Sequence, residues 1–313
     1  MKTIIFISEL ESDLQNQWVA LINKQLINAT ILLPKQISES QARVIEIAIV
    51  ANPNPKDLAR YSHLVWIQSL WAGVDKLMSG TLQKPIKLIR LVDSQLAQSM
   101  AESVLAWTLY LQRNMAEYAK QQVAKHWNQL PCIASKELRV SVLGAGELGL
   151  AALNALSKLE YQVSCWSRTP KQFKGIKSYT DISGLQMMLS KTDILINLLP
   201  LTQQTHYLLD KKLLSKLPNG AKLINFSRGA VIDTKALLEL LDIGHLSHAV
   251  LDVFENEPLT TSDPIWSNPN ITVLPHISAP TNMRTASRIV AYNINEYHQK
   301  NVIPKSVDLS IGY

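Results

Sequence analysis

The chain has 313 residues, of which 47% are hydrophobic, and a formal net charge of +6 at pH 7. This length and composition predict two domains of ordinary size, each with its own core. The first apolar run ends at Ser8 and is shorter than the roughly 7–15 residues of a secretory signal. No run approaches the roughly 18 apolar residues of a membrane span, so we expect no membrane partner.

The basic side chains are dispersed, without a basic run of the kind that binds nucleic acid. A weakly positive field suits small anionic ligands equally well. The two cysteines, Cys132 and Cys165, have neither a metal-site spacing nor the pattern of a disulfide framework. The composition therefore favours a cytoplasmic protein with no metal and no nucleic-acid partner.

Strand-like and helix-like segments alternate over the first 98 residues. Apolar, β-branched runs predict strands at 3–7, 29–33, 45–50, 64–68 and 86–91. The clearest helical pattern between them covers residues 13–26, and a longer one without Gly or Pro follows at 99–127. This alternation predicts a parallel sheet with crossover helices.

The same alternation resumes at Arg139. Strands are predicted at 139–143, 161–166, 193–199, 221–226, 248–253 and 271–274. Three helical runs follow an aspartate and the last of them ends at a glycine, these residues being Asp181, Asp210, Asp233 and Gly244. A final helix is predicted at about 281–299. The patterns predict an α/β protein with two doubly wound parallel-sheet domains, the second inserted into the first.

Gly144, Gly146 and Gly149 form a G-x-G-x-x-G pattern between a predicted strand and a predicted helix. In that context the glycines permit a tight turn, close approach of a pyrophosphate and close packing of the helix on the strand. The N-terminus of the helix then faces the phosphates. The simpler alternative is a glycine-rich turn that binds nothing. A triphosphate-hydrolysing loop is disfavoured, because no Gly-Lys-Ser/Thr sequence follows.

Charged side chains stand at or just beyond the ends of three later strands. They are Arg228, then Asp252 with Glu257, and finally His276. Ligands of open α/β sheets bind outside the carboxyl ends of the strands, so we expect these residues at one edge together with the glycine turn. Each of them alone could be a surface or structural residue, but the set as a whole favours a functional site.

The set also has a chemical rationale. The arginine fork can hold a carboxylate and a neighbouring carbonyl oxygen. A histidine beside a glutamate keeps its proton more readily, because the negative charge favours the imidazolium. We therefore predict reduction of a 2-oxo acid. A nicotinamide would supply hydride to C2, Arg228 would polarise the carbonyl, and His276, supported by Glu257, would donate the proton.

The loop after the second strand of this domain favours NADPH, with NADH the weaker cofactor. An acidic residue normally binds the ribose 2′-hydroxyl of NAD about 20 residues past the glycine turn. No carboxylate lies between Tyr161 and Tyr179. Hydroxyl and basic side chains stand there instead and can bind a 2′-phosphate, namely Ser167, Arg168, Thr169 and Lys171. The simpler alternative is a solvated basic loop.

The chain resembles the D-isomer-specific 2-hydroxyacid dehydrogenase family over essentially its whole length. The matching motifs after residue 139 are "NFSRG", "LDVFENEPL" and "PHISA", and those before it are "WAGVD" and "MAESVLAWTLYLQR". Within that family, "CWSRTPK" and "LINLLP" are similar to the glyoxylate/hydroxypyruvate reductase A group. The chain departs from the family at Trp71, which is bulkier than usual, and at Pro280, which replaces a small polar residue.

The resemblance implies a role for each matching residue. Arg228, Glu257 and His276 would be catalytic, and Asp252 would contact the nicotinamide amide. The main-chain amides of Ala72 and Gly73 would bind the substrate carboxylate beside Trp71. Further cofactor contacts are expected at Gly144, Gly146, Glu147, Leu148, Gly149, Leu199, Pro200 and Ser278.

The implied organisation is a flavodoxin-like substrate domain over residues 1–98 and an inserted Rossmann domain over 99–283. A C-terminal helix within 284–313 would return to the first domain. Glyoxylate and hydroxypyruvate are the expected substrates, giving glycolate and D-glycerate. A bulkier 2-oxo acid stays open, and so does a cofactor-sensing interaction protein, because the family includes a transcriptional corepressor.

The segment 99–127 carries more large apolar residues than one narrow stripe accommodates. They are Met100, Val104, Leu105, Trp107, Leu109, Leu111 and Met115. We therefore predict a homodimer in which this helix pairs with its two-fold mate. The alternative is that the domains of the same chain cover these side chains.

Overall fold

The computed structural model describes residues 2–79 and 86–312. The chain divides into two compact units, one formed by residues 1–95 with 281–313 and the other by residues 96–280. The domain limits expected from the sequence lie at 98 and 283. Each unit contains one sheet with helices around it.

In chain order, the strands of the described residues are β1 (Lys2–Ser8), β2 (Ala29–Leu32), β3 (Ile47–Ala51), β4 (Trp66–Ser69), β5 (Lys87–Ile89), β6 (Arg139–Leu143), β7 (Gln162–Trp166), β8 (Lys177–Tyr179), β9 (Ile194–Asn197), β10 (Ala221–Asn225), β11 (Leu246–Leu251) and β12 (Ile271–Val273). The α-helices of the same residues are α1 (Ser12–Asn23), α2 (Glu39–Ala42), α3 (Pro55–Leu58), α4 (Asp75–Ser79), α5 (Ser94–Gln112), α6 (Met115–Val123), α7 (Glu147–Lys158), α8 (Asp181–Leu189), α9 (Lys211–Leu214), α10 (Thr234–Asp242) and α11 (Met283–Lys300). Short 3₁₀ turns lie at Pro34–Gln36, Ser135–Glu137, Gly229–Val231 and Pro264–Ser267.

Both sheets are parallel throughout. The five-stranded sheet has the order β2-β1-β3-β4-β5, and the seven-stranded sheet has the order β12-β11-β10-β9-β6-β7-β8. The first is the flavodoxin-like order and the second extends the Rossmann order by one strand. The prediction of two doubly wound parallel-sheet domains is therefore confirmed. In the larger sheet the strand order reverses between β6 and β9, where ligands of such folds bind.

The strands are apolar because helices cover the sheets on both faces. Every residue of β3 and of β9 is buried, for example. The C-terminal helix α11 belongs to the first unit, since Ala286, Val290 and Ile294 share a core with Trp18 and Ile22 of α1. The hydrophobic effect therefore returns the end of the chain to the unit where it began.

The single long helix predicted at 99–127 is wrong. Helix α5 ends at Gln112 and α6 begins at Met115, because Asn114 has a left-handed φ of 54°. Asparagine tolerates this conformation better than most residues, and its side-chain amide donates to the Pro131 carbonyl at 2.9 Å. The sequence also failed to predict β8, a three-residue strand at the edge of the larger sheet.

Most of the apolar side chains of this segment are covered inside the second unit. Those that are buried in its core or packed against it are Met100, Val104, Leu105, Trp107 and Leu111. Leu109 and Met115 remain exposed. Coverage by the same chain, the alternative to a dimer, therefore accounts for most of the large apolar residues on which the dimer prediction was based.

The predicted helix starts are confirmed. The side-chain Oδ1 atoms of Asp181, Asp210 and Asp233 each accept a hydrogen bond from the amide three residues on, at 2.8, 2.8 and 3.1 Å. Such bonds satisfy N–H groups that a helix leaves without an internal partner. Gly244, with a φ of 73°, follows the end of α10. No helix in residues 2–79 and 86–312 combines the length and apolar character needed to cross a bilayer.

His248 is a buried imidazole on β11, with 5% of its surface exposed. Its Nε2 lies 2.9 Å from the Thr272 Oγ1, and its Nδ1 has no hydrogen-bond partner among the described residues. Burial, followed by the positive charge of Lys120, lowers the pKa of His248 from its ordinary 6.5 to about 4. Between these two values the folded protein keeps His248 neutral while the unfolded chain protonates it.

We therefore predict that His248 contributes to loss of stability in acid. Because only the unfolded state takes up the proton, the contribution of His248 to the free energy of unfolding falls as the pH drops below 6.5. Between pH 7.5 and 5, this fall amounts to about 2 kcal/mol. Urea unfolding at both values should show a smaller acid loss for His248→Gln than for the wild type. The exposed His63→Gln should behave like the wild type, and equal acid losses in all three proteins would contradict the prediction.

Candidate functional site

The glycine turn between β6 and α7 is tightly packed at Gly144 and Gly149 and open at Gly146. Gly144 has a φ of 97°, and a Cβ on Gly149 would lie 1.8 Å from the Gly144 carbonyl oxygen. By contrast, no described atom lies within 4 Å of the position that a Cβ on Gly146 would occupy. Gly146 is the N-cap of α7, so the open space lies at the N-terminus of that helix. This arrangement can accept a phosphate group.

The loop after β7 lies beside this turn, because β7 is the neighbour of β6 in the sheet. The Ser167 hydroxyl donates to the Thr169 carbonyl at 2.8 Å, and its amide donates to the Tyr179 carbonyl. Ser167 is buried and its hydroxyl is bonded within the loop, and its contact with the cofactor stays a prediction. Arg168, Thr169 and Lys171 are exposed.

Two asparagines end neighbouring strands of the larger sheet. Asn197 of β9 and Asn225 of β10 are register partners, and both are fully buried. The Nδ2 of Asn197 lies 3.0 Å from the Asn225 Oδ1 and 2.9 Å from the Ser227 Oγ, and its Oδ1 accepts the Leu199 amide at 3.2 Å. The polar atoms of these side chains therefore bond with one another and with the main chain beyond the strands.

Arg228 follows this pair, and both of its main-chain polar atoms are bound by side chains. Its amide donates to the Ser227 Oγ at 2.6 Å, and its carbonyl accepts the Asn225 Nδ2 at 3.1 Å. The guanidinium Nη1 donates to the Ser227 carbonyl at 2.7 Å. The next residue, Gly229, lies so close to the main chain of Phe254 that a Cβ would be 2.1 Å from the Phe254 carbonyl carbon. This close contact joins the loop of Arg228 to the loop that follows β11.

Asp252 ends β11 and holds the segment that follows β12. Its side chain is buried and accepts the amides of Ile277 at 2.7 Å and of Ser278 at 2.9 Å. Ser103 on α5 donates to the Ser278 carbonyl at 2.5 Å. His276 directly precedes this anchored segment and has a left-handed φ of 56°, which is unusual outside glycine.

His276 and Glu257 are in direct contact. The Nδ1 of His276 lies 2.8 Å from the Glu257 Oε2, and the Glu257 Oε1 accepts the Phe254 amide at 2.9 Å. Glu257 is therefore fixed by its own loop, and it in turn fixes the imidazole. The side chains of His276 and Glu257 are 50% and 28% exposed, so that solutes can reach the pair.

The part of the sequence that contains this edge matches a known family. Residues 105–278 match the profile described as D-isomer specific 2-hydroxyacid dehydrogenase, NAD binding domain. The chain is 35% identical to a glyoxylate/hydroxypyruvate reductase A of Yersinia enterocolitica over 303 residues, which cover 95% of this chain and 96% of that protein. The corresponding protein of Serratia proteamaculans is 34% identical over the same shares of both chains.

This chain belongs to the D-isomer specific 2-hydroxyacid dehydrogenase family. It is accordingly an NAD(P)-dependent oxidoreductase, and its second unit contains the NAD-binding domain.

Solved structures of the family have the same fold. A D-isomer specific 2-hydroxyacid dehydrogenase from Xanthobacter autotrophicus Py2, in complex with NADPH and MES, matches with a TM-score of 0.93 and 31% identity, covering 100% of this chain and 99% of that one. An NADPH-dependent glyoxylate/hydroxypyruvate reductase from Sinorhizobium meliloti, in complex with NADP and sulfate, matches with a TM-score of 0.90 and 28% identity over 100% of both chains.

The residues present fit a nicotinamide dinucleotide. The open space above Gly146 can take the pyrophosphate, and the turn lies at the reversal of the sheet next to Leu198, which follows β9. Ser278, an expected cofactor contact, is buried, and its hydroxyl has no hydrogen-bond partner among the described residues. The other expected contacts differ in exposure. Leu199 and Asp252 are buried, Leu148 and Pro200 are half-buried, and Glu147 is exposed.

The expected substrate residues lie in the first unit, after β4. The Trp71 indole nitrogen donates to the Asn52 Oδ1 at 3.0 Å. The Trp71 ring packs edge-to-face against the Trp18 ring, with 6.3 Å between the ring centroids. The Trp71 side chain is therefore held in place on both its polar and its apolar side. Ala72 and Gly73 follow it and are half-buried.

The sequence interpretation missed Asn197, Asn225 and Ser227. A signal was present, because the triplet "LIN" stands at the end of β9 and again at the end of β10. A polar residue that closes an otherwise apolar, buried strand needs a hydrogen-bond partner. Two such residues on adjacent strands can satisfy each other.

Proposed function

We propose that the protein reduces small 2-oxo acids with NADPH, converting glyoxylate to glycolate and hydroxypyruvate to D-glycerate. The observation that carries the proposal is the 2.8 Å contact between His276 and Glu257, at the strand edge that also bears Arg228 and the glycine turn. The names of the Yersinia and Serratia relatives support the choice of substrates.

In this proposal His276 is the proton donor. Its Nδ1 is bound to Glu257, which leaves Nε2 as the ring nitrogen that can transfer a proton to substrate. Glu257 holds the ring at Nδ1 and prevents it from rotating. When bound, the reduced nicotinamide supplies the hydride. Arg228 offers a planar fork to the carbonyl oxygen and the adjacent carboxylate of the substrate.

We further propose that a domain of residues 1–98, together with the C-terminal helix, binds substrate, and that a domain of residues 99–283 binds the cofactor. The main-chain amides of Ala72 and Gly73 would receive the substrate carboxylate. Their place beyond the carboxyl end of β4, where ligands of open α/β sheets bind, supports this assignment.

The activity is tested by the consumption of NADPH with glyoxylate, hydroxypyruvate and the bulkier phenylpyruvate. We expect turnover with the two small acids and a lower kcat/KM with phenylpyruvate. His276→Ala should lower kcat roughly 10²–10⁴-fold, as is usual when a general acid is lost.

The matched control is His63→Ala, which removes an exposed histidine of the first unit and should leave turnover unchanged, because surface substitutions usually alter stability by no more than about 0.5 kcal/mol. No consumption with any acid would show that the proposed function is wrong. Full turnover by a folded His276→Ala enzyme would remove the histidine from the mechanism.

We also propose that NADPH is preferred over NADH, through the exposed side chains of Arg168, Thr169 and Lys171. A charge-assisted hydrogen bond to the 2′-phosphate contributes about 1.5–3 kcal/mol, so we expect at least a roughly tenfold preference in kcat/KM. Replacing both Arg168 and Lys171 by alanine should raise the KM for NADPH and leave that for NADH unchanged. Lys174→Ala, an exposed lysine farther along the loop, is the control. Equal kcat/KM values for the two cofactors in the wild type would contradict the proposal.

A homodimer is the proposed assembly. Its support is a set of exposed apolar side chains on and after α6, namely Met115, Val123, Trp127 and Ile133, together with an open groove of about 470 Å³ that Val123 helps to line. Light scattering should give about twice 35.0 kDa. Val123→Glu with Trp127→Glu should give monomers, whereas Val44→Glu, at an exposed valine of the first unit, should not. A wild-type monomer at micromolar concentration would contradict the proposal.

A further inference from the structure

We propose that Asn197, Asn225 and Ser227 form a positioning unit for Arg228, and that this unit sets the rate of the reaction through the arginine. The inference rests on the proposed function, because it assigns a purpose to the placement of Arg228. None of the three residues touches substrate in this proposal. They act by fixing where the main chain of Arg228 lies and in which direction its guanidinium points.

The first observation is the burial of three polar side chains at one edge of the sheet. Asn197 and Asn225 are 0% and 1% exposed, and Ser227 is 8% exposed. Buried amides and hydroxyls weaken a core unless each is hydrogen-bonded. Apolar side chains would avoid that cost but would leave the main-chain groups of Leu199 and Arg228 without these partners. The polar side chains therefore call for an explanation other than packing.

The second observation is that only one arrangement of the amides satisfies every atom. The Oδ1 of Asn197 accepts the Leu199 amide, so its Nδ2 faces the Asn225 Oδ1 and the Ser227 Oγ. The Asn225 Oδ1 in turn accepts, so its Nδ2 faces the Arg228 carbonyl. Flipping either amide would set acceptor against acceptor. The network therefore has a fixed direction that ends on Arg228.

The third observation is that the network holds Arg228 from both sides. The Ser227 Oγ accepts a hydrogen bond from the Arg228 amide at 2.6 Å. The Asn225 Nδ2 donates to the Arg228 carbonyl at 3.1 Å. The Ser227 carbonyl also accepts the guanidinium Nη1 at 2.7 Å. Because the main chain of Ser227 directs the head group, a shift at Ser227 moves the part of Arg228 that would meet the substrate.

Positioning of this kind affects catalysis more than binding of the cofactor. A displacement of about 1 Å at a reacting group can cost roughly a hundredfold in rate. The Asn225 carbonyl also accepts the Asp252 amide, and the Asp252 side chain anchors the segment after His276. The same strand end is therefore connected to the proton donor, but only Arg228 is held directly.

The test compares two buried serines of the same unit. Ser227→Ala removes the oxygen that accepts from Arg228 and Asn197, and Ser227→Cys keeps the size but offers only a weak acceptor. Ser141→Ala is the matched control, because Ser141 is also buried and lies within hydrogen-bond distance of Ser164 and Thr192 in the interior of the sheet. Four quantities are measured: kcat and KM for glyoxylate, the Kd of NADPH by fluorescence, the Kd of oxalate by calorimetry, and Tm.

Both Ser227 variants should lose about tenfold or more in kcat/KM and bind oxalate about tenfold more weakly. Their Kd for NADPH should stay within about twofold of the wild type, which a general loosening of the domain would not allow. Ser141→Ala should show a comparable fall in Tm with unchanged kcat and unchanged oxalate binding. If Ser227→Ala does not fold, Ser227→Cys provides the same comparison.

The outcomes separate this inference from the proposed function. If the wild type binds oxalate but reduces no 2-oxo acid, the proposed function is wrong. The positioning unit is then judged by oxalate binding in the Ser227 variants alone. Unchanged kcat/KM and unchanged oxalate binding in folded Ser227 variants would overturn the inference, as would equal losses in Ser141→Ala. A wild type without turnover and without oxalate binding would overturn both.

Discussion

Parallel strands that stop at one edge of a buried sheet leave main-chain groups without their ladder partners. In the larger sheet this happens at β9, β10 and β11, where the residues directly beyond the strand ends are buried or half-buried. An unpaired amide or carbonyl there would weaken the fold. Side chains supply the missing partners, with Asn197, Asn225 and Asp252 each standing at or next to a strand end. The rest of the site depends on these side chains, because they replace the hydrogen-bond partners that a neighbouring strand would otherwise provide.

The groups that satisfy the edge also place the groups that can do chemistry. Asn225 and Ser227 bind the main chain of Arg228, while Asp252 binds the two amides after His276. The Glu257 side chain likewise satisfies the main chain and places a reacting group. One carboxylate oxygen accepts the Phe254 amide, and the other contacts the His276 imidazole. Stability of the edge and geometry of the site therefore have a common physical origin.

Burial decreases from the base of this edge to its surface. The two asparagines and Asp252 are almost fully buried, Arg228 is half-buried, and the His276 side chain is half exposed. Rigid, satisfied polar groups lie underneath, and the side chains that can meet a substrate lie on top. Such support by a buried layer is what holds reacting groups within the narrow tolerance that catalysis requires.

The sequence by itself determined the class of fold, the glycine turn, the helix caps and the three strand ends that bear charged residues, since these follow from local periodicity and from conformational preferences within a few residues. Tertiary structure decided the rest. The contacts between Glu257 and His276, between Asp252 and Ser278, and between Asn197 and Ser227 join residues 19, 26 and 30 positions apart, and they exist because β9 to β12 are neighbours. The break at Asn114 and the hydrogen bond of the Ser167 hydroxyl to the Thr169 carbonyl could not be predicted from the sequence, because each depends on partners that only the folded chain supplies.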